Sequence, residues 1–315
     1  MKLIPIAGRT EQVLFLSRQV KQGQTMPNFS VEQKVASKFA GLTIGFVEGE
    51  CTANSFSNSE EFTKQKTIVQ TNARAITPLA EHPHIAAWRK AFKGFGADPT
   101  KTRSSAEAII RRLQKGDSLP AINAIVDVYN LISARHVLPV GGQDAQNIVG
   151  SVTLRFAAAG ETFLPLGASE PHKVDEGEVV YADERKILCS KWNYRDCEPA
   201  KISEATTKYV LFVDGAPGIE RQKVEAAASD LAATLEKLVS SCKTSTKIVA
   251  TNTAISEAIR NKQISDDFFA TKKLVLMDLT EIELKKICQA NDCLPQNREF
   301  DPLTQESKKI QLTYV

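Results

Sequence analysis

The sequence predicts an α+β chain, with helices gathered in its first half and a mostly antiparallel set of strands in its second. Three observations carry that expectation. Residues 58–136 show apolar positions at helical spacing, interrupted at Pro78, Pro83 and Gly116. From 148 the pattern changes to short alternating runs punctuated by Gly, Pro, Asp and Glu, too closely spaced for a βαβ series. A helix over 220–241 follows, with Val224, Ala228, Leu231, Leu235 and Leu238 in one apolar stripe.

In order, residues 1–34 are mixed and polar, and are expected to form a loosely attached arm with one short helix. Residues 35–47 read as a helix end followed by a strand in which Leu42, Ile44 and Phe46 alternate with smaller residues. A fresh helix is expected from Pro83 through HPHIAAWRKAF (82–92), since proline fits the first helical turn. The loop 93–103, KGFGADPTKTR, is rich in Gly and Pro and ends basic. Ser104 and Glu107 then form a capping-box pattern ahead of Ile109, Ile110 and Leu113.

Residues 119–144, LPAINAIVDVYNLISARHVLPVGGQD, stand at the centre of the chain. Ile122, Ile125, Val126, Tyr129 and Ile132 fall on one helical face, and Asn123, Asp127 and Asn130 form a second, polar stripe. Pro120 lies near the expected helix start. Gly141 and Gly142 suit a tight turn or a close approach of backbone to ligand, with Asp144 just beyond. Strands are then expected around 152–156, 162–166, 178–182, 187–189 and 209–215. After Cys242 the stretch KTSTK reads as a polar linker. A helix near 253–262, a strand over 274–279 and a helix over 281–291 follow. This divides the chain into an arm (1–34), a main domain (35–243) and a C-terminal extension or small module (244–315).

The 315 residues suffice for a sizeable core, and 42% hydrophobic with 24% charged residues is ordinary for a globular chain. A net charge of +3 allows a local basic face without demanding one. No run reaches the roughly 18–20 apolar residues a membrane helix needs. The first 20 residues, interrupted by Arg9, Glu11 and Arg18, lack a secretory pattern. The six cysteines, at 51, 189, 197, 242, 288 and 293, form no CxxC pair and read as free thiols in a reducing cytosol. The four histidines have no metal-ligand spacing, so neither metal nor cofactor is expected. Phosphate-binding glycine loops, zinc-protease and nucleophile-elbow motifs are absent.

Chemistry concentrates in two places besides the Gly141-Gly142 turn. The polar stripe Asn123, Asp127, Asn130 could hold an ammonium group or a ribose hydroxyl, or be a solvated face. The segment Trp192-Asn193-Tyr194-Arg195-Asp196 packs an anchor and four hydrogen-bonding groups into five residues, as either a pocket wall or a buried Trp beside a polar turn.

The ordered series LPAINAIVDVYNLISARHVLPVGGQD, VTLRFAAAGETFLPLG and GEVVYADERKILCSKWNYRDCEPAKISEATTKYVLFVDG resembles the B3/B4 domain, the tRNA-binding and editing module of the bacterial phenylalanyl-tRNA synthetase β chain. The resemblance spans roughly residues 35–242. It implies a β-rich body with packed helices, and a pocket between the helix–turn region and the WNYRD segment. It further implies a freestanding, metal-independent hydrolase of misacylated tRNA, not a complete synthetase. Asp196, Asn123 and Asp127 are then the catalytic candidates. Asn130, Gly141, Gly142, Asp144, Trp192, Asn193 and Arg195 are the substrate-binding ones. Arg89, Lys90, Lys93, Lys101 and Arg103 could meet tRNA phosphates. No membrane and no DNA partner is expected, and the oligomeric state is left open. Two departures separate this chain from the family pattern. LPVGGQD replaces a histidine-bearing turn and retains only its acid, as Asp144. WNYRD replaces a glycine-rich segment ending in glutamate, whose place falls to Asp196 or Arg195. The rival readings are a non-catalytic RNA-binding module of the same fold, and a binder or hydrolase of free amino-acid-like molecules.

Overall fold

The computed structural model describes residues 26–251; the expected elements between 253 and 291 lie outside them, as do Cys288 and Cys293. The described chain runs β1 (Phe29–Val31), α1 (Gln33–Lys38), β2 (Thr43–Glu50), α2 (Ser59–Arg74), α3 (Pro83–Gly94), α4 (Ser105–Gln114), α5 (Ala124–His136), β3 (Val140–Asp144), β4 (Val152–Phe156), β5 (Thr162–Phe163), β6 (His172–Lys173), β7 (Val179–Ala182), β8 (Ile187–Ser190), β9 (Arg195–Asp196), β10 (Lys208–Gly215), α6 (Arg221–Leu238) and β11 (Lys243–Ala250). It is an α+β fold. Its larger sheet has the order β1-β4-β7-β8-β9, its second the order β11-β2-β10-β3, and β5-β6 form a small ribbon. All pairings are antiparallel except that of β1 with β4.

Strands β2 and β10 of the second sheet are buried on both faces, which explains why β10 reads as a continuous apolar run. Helix α6 packs across β2, β10 and β11 on one side. It comes so close that a Cβ on Gly45 would stand 2.7 Å from the Cβ of Ala228. On the other side Phe46 and Phe212 meet Phe29 and Tyr181 of the larger sheet, with ring centroids between 4.4 and 5.9 Å apart. This aromatic layer joins the two sheets. Phe29 ties the end of the expected loose arm into it, and β1 pairs with β4 in register from Phe29↔Val152 to Val31↔Leu154.

Several local expectations hold. Pro83 opens α3, Ser104 Oγ accepts from the Glu107 amide at 3.3 Å, and Gly116 follows α4 with a left-handed φ of 94°. The Glu107 side chain does not close the box. It turns to Arg89 and Arg111 instead.

Others are corrected. Helix α5 begins at Ala124, four residues after Pro120, and Asn123 is its N-cap. It is not amphipathic: ten of its thirteen residues are buried, because α2, α4, α6 and β3 surround it. Ile122, read as part of the apolar face, precedes the helix and is 55% exposed. Gly141 and Gly142 do not form a turn. They lie within β3, paired to Phe212 and Leu211, and a Cβ on Gly142 would fall 2.3 Å from both the Leu211 side chain and the Val210 carbonyl. The supposed linker KTSTK begins β11, which pairs with β2 along its whole length. Its polar residues suit a strand with one open edge and an exposed outer face.

Candidate functional site

Strand register builds the site. Across β7, β8 and β9 the residues Tyr181, Cys189 and Asp196 are register partners and form one row on one face. On the second sheet Gly141 pairs with Phe212, and Gln143 and Asp214, two residues along their strands, share that face. The two rows confront each other across a partly open cavity of about 70 Å3. The hairpin turn 191–194 walls it on one side and Ser105, the first residue of α4, on another.

Two carboxyl groups lie inside. Asp214 is 2% exposed; one of its oxygens accepts from the Tyr181 hydroxyl at 2.5 Å and the other from Asn193 Nδ2 at 3.1 Å. Burial pushes its carboxyl up to about 7 against those two hydrogen bonds, and the nearby charge of Asp196 adds to the rise. Asp196 faces the cavity and accepts from Gln143 Nε2 at 3.0 Å. Burial raises it to about 6, opposed by the Cys189 thiol, the Gln143 amide and the Arg195 charge. Burial and the Asp196 charge hold the Cys189 thiol well above its ordinary range, so it stays protonated and acts as a donor, not a nucleophile. Burial and the Asp214 charge do the same to the Tyr181 phenol.

The cavity also holds polar atoms without partners. Ser105 Oγ and Asn193 Oδ1 are both buried and make no hydrogen bond among the described residues. Buried polar atoms are normally satisfied, and unpartnered ones in one cavity with two protonatable acids mark a place for a polar ligand. Ser105 also brings the N-terminal end of α4, with its partial positive charge, to the cavity wall.

The residues expected from sequence divide between this cavity and the scaffold. Gly141, Gly142, Trp192, Asn193, Arg195 and Asp196 come together around it. Gly141 leaves its floor open: a Cβ there would lie 3.9 Å from Asp196 Oδ2. Asn123, Asp127, Asn130 and Asp144 are not among the lining residues. Asn123 Oδ1 caps α5 by accepting from the Val126 amide at 3.1 Å and from Asn54 Nδ2 at 3.0 Å. Asp127 accepts from the Ile122 amide at 2.8 Å, and Asn130 is buried. Asp144 accepts from Thr206 Oγ1 and the Gln146 amide, both at 2.9 Å, and so fixes the turn after β3. Among the basic residues, Arg89 grips the buried Glu107 with two hydrogen bonds, at 3.0 and 2.5 Å, and Arg103 lies 3.8 Å from the same carboxylate. Lys90, Lys93 and Lys101 are exposed, and the loop carrying Lys101 and Arg103 leads into Ser105 at the cavity.

Asp214, Tyr181, Gln143, Cys189 and Ser105 were missed. Asp214 ends the run YVLFVDG, and an Asp-Gly pair there reads as the turn closing a strand. The available signal was its phase: it shares parity with Phe212 and so points the way an apolar core residue does. Among the described residues no group of three or more His, Cys, Asp or Glu is placed to hold a metal, and no helix is long and apolar enough to cross a membrane.

A family model described as B3/4 domain matches residues 87–260, a range that includes every residue lining the cavity. A phenylalanine–tRNA ligase beta subunit of Mycoplasma genitalium is 29% identical over 79 residues, which is 25% of this chain and 10% of that protein, so the match spans about a tenth of the relative's length. An N-terminal fragment of the phenylalanyl-tRNA synthetase beta subunit from Pyrococcus horikoshii aligns with 70% of this chain and 51% of that chain, with a TM-score of 0.37 and 12% identity.

Proposed function

The chain belongs to the B3/4 domain family, and from that premise we propose that it is an aminoacyl-ester hydrolase acting in trans on misacylated tRNA. The observation that carries this reading is the pair Asp196 and Asp214, held on facing sheets in one cavity with carboxyls near 6 and near 7. Two interacting acids whose environments set them apart can work as a base and an acid near neutral pH.

The proposed reaction follows from those groups. Asp196, as carboxylate, takes a proton from water while the water oxygen attacks the ester carbonyl carbon. The oxygen that becomes negative is stabilised by Ser105 Oγ and the N-terminal amides of α4. Asp214, as carboxylic acid, gives its proton to the departing ribose oxygen as the carbon–oxygen ester bond breaks. The products are a free amino acid and a tRNA with its terminal hydroxyl restored, and solvent returns the two carboxyls to their starting states. Turning the Asn193 amide would bring its unpartnered Oδ1 to accept the Asp214 proton.

The test is release of amino acid from a panel of mischarged tRNAs. Asp196→Asn and Asp214→Asn should each slow it by about 10²–10⁴-fold. After subtraction of spontaneous hydrolysis, the rate should rise through about pH 6 and fall beyond about pH 7, following the two carboxyls. No turnover on any member of the panel would overturn the reading. Salt-dependent tRNA binding without turnover would favour the non-catalytic alternative, for which the exposed Lys90, Lys93 and Lys101 speak.

A further inference from the structure

The turn between β8 and β9 is built in a costly way. Lys191 and Trp192 both adopt left-handed backbone, with φ of 45° and 67°. Such a conformation is disfavoured for non-glycine residues and persists only where surroundings enforce it. They do so here. The Trp192 ring is fully buried, packed edge-on against Trp88 and Phe39 at centroid distances of 5.1 Å. The Tyr194 amide bonds the Ser190 carbonyl at 3.2 Å, and Asn193 is tied to Asp214.

A turn anchored so firmly from below fixes what it presents above. Asp196 is turned into the cavity, while Tyr194 and Arg195, both lining its mouth, face outward. Tyr194 is 42% exposed, one of four large hydrophobic side chains exposed among the described residues. Arg195 is exposed as well. Arg89, Arg111, Arg135 and Arg155 each bind a carboxylate, whereas Arg195 has no hydrogen-bond or ion-pair partner for its guanidinium among the described residues.

We propose that Tyr194 and Arg195 form a clasp for the single-stranded 3′ end of an RNA, Tyr194 stacking on a base and Arg195 pairing with a backbone phosphate. It rests on the hydrolase reading for its geometry, since a nucleotide held at this mouth extends its terminal ribose toward the acids. The chemistry suits a nucleotide: an aromatic face stacks on any base, and an adjacent exposed guanidinium pairs with the phosphate.

The experiment uses the full chain and a short uncharged single-stranded RNA with a free 3′ hydroxyl, with binding followed by fluorescence anisotropy at several salt concentrations. Because the RNA carries no ester, the result is independent of hydrolysis: a chain that binds it but deacylates nothing keeps the clasp and loses the hydrolase. Tyr194→Ala should weaken binding about tenfold, and Tyr194→Phe should restore most of it. Arg195→Gln should weaken binding and flatten its salt dependence. Both side chains are exposed, so the variants should fold, which near-UV circular dichroism checks. Absence of binding by the unmodified chain, or unaltered binding by Tyr194→Ala and Arg195→Gln, would overturn the clasp.

Discussion

Asp214 shows how one residue joins stability to chemistry. Its carboxyl is raised to about 7, whereas an unfolded aspartate titrates at about 3.9. The folded state therefore holds the proton more tightly. The protein is favoured below the unfolded value and loses that contribution as pH rises through the folded one. Asp214→Asn removes the penalty of the buried charge. Its melting temperature should exceed that of the unmodified protein at pH 8 and converge with it near pH 4, measured by calorimetry at both. A lower melting temperature at pH 8 would show that the Tyr181 and Asn193 hydrogen bonds outweigh burial. Asp230 has the opposite sense. Burial opposes its charge, but His136 and Arg135 hold its carboxyl down at about 2, so its contribution is present at neutral pH and lost in strong acid.

Among the elements, β3 separates structure from function within two adjacent residues. Gly142 lies under Leu211 and has no room for a methyl group, whereas Gly141 opens onto the cavity. Gly142→Ala should therefore give little folded protein, and Gly141→Ala should fold with an unchanged melting temperature while slowing ester hydrolysis by taking cavity space beside Asp196. Thermal melts and deacylation rates on the pair check this, and equal melting temperatures for both would contradict the packing. The same strand marks the limit of what sequence conveys. The starts of α3 and α4, the break at Pro83 and the alternating strands were legible because each depends on local spacing. VGGQD was not, because two glycines signal a turn locally and only their pairing with β10 makes them a strand. The stripe Asn123, Asp127, Asn130 misled for a related reason: Asn123 and Asp127 serve the start of α5, and a cap and a ligand site call for the same residue types. WNYRD reads from sequence as either a pocket wall or a buried tryptophan beside a polar turn, and the structure has features of both: Trp192 is fully buried and the segment lines the cavity.

At the scale of the whole molecule, the aromatic layer around Phe29, Phe46, Tyr181 and Phe212 holds one sheet against the other. Phe29→Ala should cost about 3 kcal/mol, at the low end for a core phenylalanine because the ring is only partly buried. Denaturant unfolding with a tryptophan fluorescence readout would check it; a cost near zero would mean that β1 only covers the core. Asp196 was a candidate from sequence, but its pairing with Asp214 could not be read in advance because the two come from different sheets, and which sheet faces which is set by long-range packing. That separation has a consequence for the folding chain. Asp196 and Asp214 lie on strands that each find their partners independently, so an intermediate with both sheets formed but undocked would carry every residue of the site and yet have no site. Reactivity would arise last, with the docking of the sheets, and would be the first property lost when they part.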